Sequence, residues 1–117
     1  MSTVLARFCR VKNTSEIKLS LTIGFAQKGY STVYLEDEKI GEWDGSFTKS
    51  LEIQGNDLKG KTLFCHTLII DLRSETDETS VTYELTGGKA DFKQTLKESV
   101  DKPGGVKHYV ATFTFIP

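Results

Sequence analysis

The chain has 117 residues, 15 basic and 16 acidic side chains, and a formal net charge of −1. That balance lacks the basic excess that nucleic-acid binding draws on, and 38% hydrophobic with 26% charged residues fits neither a disordered nor a membrane composition. Fourteen Thr stand against four Ala, with seven each of Val, Ile and Phe. β-Branched and aromatic side chains suit a pleated surface and Ala suits helices, so the composition predicts a mostly β chain.

The area relations for a chain of this size give about 6,400 Å² of surface folded and about 19,000 Å² unfolded. Roughly two-thirds buried is enough for one core without metals or disulfides, and a single domain over 1–117 is expected. The two cysteines, Cys9 and Cys65, each sit in a mostly apolar run and read as free, buried thiols, with a strand-to-strand disulfide as the alternative. Arg7 and Arg10 interrupt the start before an apolar leader forms, and no apolar run is long enough to span a membrane. The cytoplasm is therefore the default compartment, although a secreted chain without its leader would look the same.

In chain order, residues 4–11 read as a weak strand closed by a turn at Asn13. Residues 16–25 then alternate Ile17, Leu19, Leu21, Ile23 and Phe25 against Lys18, Ser20 and Thr22, a half-buried antiparallel strand. Residues 31–35 form the next strand, and the charged 36–39 segment leads to a short one ending at Trp43. Asp44-Gly45 favours a tight hairpin, with 47–53 as the returning strand. A turn-rich loop over 54–60 opens onto residues 61–72, which carry Leu63 and Ile69 on one face and Phe64, Leu68, Ile70 and Leu72 on the other. Two apolar faces predict a central strand buried on both sides, or one whose outer face meets another element.

After a polar loop at 73–78, Val81, Tyr83 and Leu85 alternate with Thr82 and Glu84 up to a Gly87-Gly88 hairpin. Residues 89–100 are ambiguous. Phe92, Leu96 and Val100 recur at helical spacing, whereas the surrounding turns favour a strand, so a strand is expected with a short helix near 91–100 as the alternative. The turn at 101–105 precedes a last strand, 106–116, whose Tyr109, Ala111, Phe113 and Phe115 belong in the core. About eight strands with frequent turns predict an all-β antiparallel sandwich of immunoglobulin- or C2-like architecture, with a closed barrel as the alternative.

Three constellations stand out. Asp71, Glu75, Asp77 and Glu78 put four carboxylates in one loop, the donor type calcium takes, though in no EF-hand order; a solvated turn is the plainer reading, and no cofactor is expected. Tyr30, Tyr34, Trp43 and Asp44 combine aromatic rings with a hydrogen-bonding group, as sugar- or peptide-binding sandwiches do, although rings that simply cover a sheet face are the plainer reading. Phe64, in the two-faced strand, would anchor a dimer or partner interface if its sheet face is uncovered. His66 and His108 both fall in strands and are too few for a zinc site, with Cys65 on the face opposite His66. No nucleophile elbow, P-loop or dinucleotide fingerprint is present. The expectation is a non-catalytic module binding a protein partner or its own copy, without nucleic acid or membrane. A carbohydrate- or small-ligand-binding sandwich and a calcium-dependent module are the alternatives.

Overall fold

A computed structural model describes residues 2–72, 76–100 and 104–117. Among them the chain forms nine strands: β1 (Ser2–Arg10), β2 (Glu16–Ile23), β3 (Lys28–Leu35), β4 (Glu38–Asp44), β5 (Phe47–Gln54), β6 (Thr62–Ile70), β7 (Glu78–Thr86), β8 (Phe92–Ser99) and β9 (Val106–Ile116). They assemble as two open sheets, in the order β1-β9-β6-β3-β4 and β5-β2-β7-β8. The fold is thus an all-β sandwich, and the closed-barrel alternative is set aside because each sheet ends in edge strands. Every pairing between the strands is antiparallel except β1 with β9, which is parallel.

The alternation of apolar residues fixes which face of each strand turns inward, because a strand reverses its side chains at every residue. Ile17, Leu19 and Leu21 of β2 face Leu63, Ile69, Tyr109, Phe113 and Phe115 of the larger sheet, all of them buried in one hydrophobic cluster. Tyr83 and Phe92 meet Phe113 edge-on across the gap, with centroids 6.1 and 5.6 Å away. Cys9 and Cys65 are free and buried, as expected. Cys9 pairs with Phe115 and Cys65 with Ala111. Four residues along β9 and the two strand spacings across it separate them by about 16 Å, well outside disulfide reach.

Three expectations need correction, and one alternative is set aside. Residues 91–100 hold the expected strand and no helix: β8 is an edge strand paired only with β7. Its polar residues are tolerated between apolar ones because Gln94, at the open flank, accepts from Arg7 Nη2 at 3.0 Å. The one helical turn, α1 (Gly55–Leu58), lies instead in the 54–60 loop. Asp44-Gly45 is not a hairpin but a corner between the sheets, since β4 pairs with β3 and β5 with β2. Gly45 does take the positive φ of +74° that the dipeptide suggested, but that angle does not dictate which sheet the chain enters next. Finally, β2 ends at Ile23, and Phe25 sits exposed in a turn at φ +58°. Residues 101–103 of the expected turn before β9 lie outside the described residues.

Candidate functional site

The outer faces of the two sheets differ in chemistry. On the four-stranded sheet the outward rows read Thr48–Ser20–Glu84–Lys93 and Thr22–Thr82–Thr95, with Lys18 and Ser50 beside them. Ser20 and Thr48 share a hydrogen bond at 2.9 Å, and Thr82 and Thr95 share one at 2.7 Å. This face is hydrated polar surface.

The five-stranded sheet is different. Its outward rows read Val4–Val110–His66–Thr32–Glu42, then Ala6–Thr112–Phe64–Tyr34–Lys39, and Leu68 lies between His108 and Tyr30. Val106, Ile70 and Ile116 extend the apolar area toward its ends. Phe8 is 74% exposed and Val4 64% exposed. Of the six large hydrophobic residues that are exposed, Val4, Phe8, Tyr30 and Val106 lie on this face, Phe25 and Leu72 lie in loops, and the four-stranded sheet's outer face has none. The two-faced pattern of β6 therefore means a strand central in its sheet, with one face in the core and the other on an uncovered surface.

At the centre of this face His66 Nε2 lies 3.0 Å from His108 Nδ1, with the rings stacked at 17°. Partial burial, and then the neighbouring His108, hold the His66 imidazole below its ordinary pKa. Beneath it, on the inner side of the same strand, burial pushes the Cys65 thiol up to about 12.

The aromatic residues singled out in the sequence are split between faces. Tyr34 is outward and packs against Phe64 at 6.2 Å, so both belong to the apolar face. Trp43 turns inward, lies across Gly41 and stacks on Phe47 of the other sheet at 4.1 Å and 7°. Trp43 and Asp44 line a shallow groove with Tyr30 at the β3–β4 margin. Tyr34 and Trp43 make no common platform.

The acidic loop is also divided. Asp71 is buried and accepts from Gln27 Nε2 at 2.8 Å, while the same amide reaches Glu78 O and its oxygen accepts from Leu72 N–H. Gln27 thus ties three segments together at one end of the sandwich. Glu78 is exposed and accepts from Ser99 Oγ at 2.7 Å. Asp77 is held above the usual carboxylate range by desolvation first, then by its hydrogen bond to Asp71 and the negative charge there. Glu75 lies outside the described residues. Among the described residues no three His, Cys, Asp or Glu side chains converge as a metal-ligand set, and no helix is long and apolar enough to cross a membrane.

Sequence reading missed Val4, Phe8, Val110 and Ile116 as surface-forming residues. The signal was present in residues 4–11, where Val4 and Phe8 oppose Leu5 and Cys9 in parity, the same two-faced pattern as β6. No family model, curated protein or solved structure matches the chain.

Proposed function

We propose that this protein is a non-catalytic interaction module that self-associates through the outer face of its five-stranded sheet. The observation that carries the reading is the contrast between the two outer faces, one polar throughout and one carrying Val4, Phe8, Val110, Phe64, Leu68 and Tyr34 among threonines and the two histidines. Exposed apolar surface of this extent disfavours a free monomer and marks an interaction surface. Five strands about 4.8 Å apart and nine residues at about 3.3 Å each make a face of roughly 24 by 30 Å, or about 700 Å². A specific interface takes about 800 Å² from each partner, so the whole face would have to be covered.

A second copy is the partner that fits. The same patch on two molecules is self-complementary about a twofold axis, and a net charge of −1 imposes little repulsion between copies. Phe64, Tyr34 and Leu68 supply the aromatic and aliphatic anchors that dominate such interfaces. The non-catalytic part of the reading is supported by where the most displaced titrating groups lie. Cys65 and Tyr83 are sealed in the core by burial, away from any surface a substrate reaches.

Light scattering on the purified chain over a hundred-fold concentration range tests the reading. Dimers at the upper end, dissociating on dilution, support it. Monomers throughout contradict it.

A further inference from the structure

β1 and β8 are the edge strands on the same side of the sandwich, and a cavity opens between them. Two contacts tie the edges together there. Lys89 N–H donates to Arg10 O at 3.0 Å, and Arg7 Nη2 donates to Gln94 Oε1 at 3.0 Å. Gly88 permits the first of these approaches, because a Cβ on it would lie 2.7 Å from Arg10 O.

The floor of the cavity is apolar. Leu85 and Phe113 are buried, and Phe92 meets Phe113 edge-on. Cys9 and Ala90 on the walls are small, and the space left open is about 290 Å³. At about 30 Å³ for each non-hydrogen atom, the share of one water molecule in the liquid, it holds about ten such atoms.

The rim is cationic. Arg7, Arg10 and Lys89 line it against Asp91, the one carboxylate among the described lining residues. This local excess of positive charge sits in a chain whose net charge is −1. Part of the donor capacity is already taken: Arg7 Nη1 reaches Ala6 O at 3.3 Å, and Arg10 Nη1 donates to Pro117 O at 3.1 Å. A guanidinium carries five N–H donors, so both arginines keep others for a ligand. Lys89 is exposed on the same rim.

We propose that this cavity binds a small amphipathic carboxylate, its apolar body against Phe92 and Phe113 and its head held by Arg7, Arg10 and Lys89. Each half of the cavity selects one half of the ligand. The floor takes an alkyl or aryl body and would leave the hydroxyls of a sugar unpaired. Three cations favour an anionic head, and guanidinium-to-carboxylate hydrogen bonds are among the strongest a side chain makes. A cleft lined mostly by one sign of charge also draws the opposite ion in. The site lies in the gap between the sheets and not on an outer face, so it stands independently of the self-association reading.

Octanoate matches the cavity in size and is the probe. Titration calorimetry is expected to show saturable binding at one site per chain in the wild type, and binding about tenfold weaker in Lys89→Gln and in Arg10→Gln. Octanol, the same chain without the charge, is expected to bind about tenfold more weakly than octanoate. Ala90→Leu should abolish binding by filling the wall, with far-UV circular dichroism unchanged. Amide chemical shifts should move at Cys9, Leu85 and Phe92 on adding octanoate and stay fixed at Phe64 and Leu68. Absence of saturable binding, octanol binding as tightly as octanoate, variants that bind like the wild type, or shifts confined to Phe64 and Leu68 would overturn the site. None of these outcomes depends on whether the chain is a monomer or a dimer.

Discussion

His66 and His108 stack at the centre of an apolar sheet face, with His66 Nε2 3.0 Å from His108 Nδ1. At that distance one ring nitrogen donates and the other accepts, and the tautomers of the two rings decide which. The side chain of Thr32 on β3 lies opposite His66, Glu42 of β4 follows one strand further, and Tyr30, Tyr34, Lys28, Lys39 and Asp44 are other titratable groups on that side of the face.

The His66 pKa is lowered in the folded state, by burial and then by His108. As pH falls below about 6.5 the unfolded chain takes up this proton first, so stability drops progressively between the ordinary value and the depressed one. Stability from this group is complete above about pH 6.5. Urea denaturation at pH 7.5 and 5.0 is expected to show a larger loss for the wild type than for His66→Gln. Equal losses would mean that His66 is not the titrating group.

Trp43 is the chain's only tryptophan, and its indole lies where a Cβ on Gly41 would sit, 2.4 Å from the ring. Gly41→Val should push the ring off Phe47, shift the fluorescence maximum to the red and cost about 2 kcal/mol of stability through lost packing. An unchanged emission spectrum would show that the stack is not formed as described.

Gln27→Ala should cost about 3 kcal/mol. It removes the amide that bonds to Asp71, Glu78 O and Leu72 N–H at once, leaving buried polar groups less well satisfied. Chemical denaturation measures this directly, and a loss under about 0.5 kcal/mol would show that Gln27 does not tie these segments together.

Both thiols should resist modification in the native state. Cys65 is fully buried with its pKa pushed up to about 12, and Cys9 is 7% exposed with its thiol raised by burial. A thiol reagent at pH 8 is expected to label neither quickly and both after unfolding. Rapid labelling of Cys65 in the native protein would contradict the core assignment.

The layout of the core was readable in the sequence because alternation in β2 and β9 assigns every inward residue by parity alone. Sheet membership was not. Trp43 and Phe47 flank a turn that reads as a hairpin, yet they stack on each other because the chain changes sheets between them. The two-residue hairpin that does form, at Glu36–Asp37, has no glycine to announce it, although Glu36 takes φ +55°. β8 was ambiguous because an edge strand at an open flank tolerates Gln94 and Glu98 among its apolar residues. Of the candidate site, Phe64 and the uncovered face behind it were visible in the double parity of β6. The extension to Val4 and Phe8 depends on β1 lying beside β9, a pairing between the two ends of the sequence that no local pattern encodes.

The central claim is that the apolar face of the five-stranded sheet is covered by a second copy. Sedimentation equilibrium on the wild type and on Leu68→Lys, with far-UV circular dichroism confirming that both are folded, tests it most directly. The account predicts a wild-type mass of twice 13.1 kDa and a variant mass of 13.1 kDa at the same concentration. A wild-type mass of 13.1 kDa at all concentrations, or an unchanged dimer in Leu68→Lys, would contradict it.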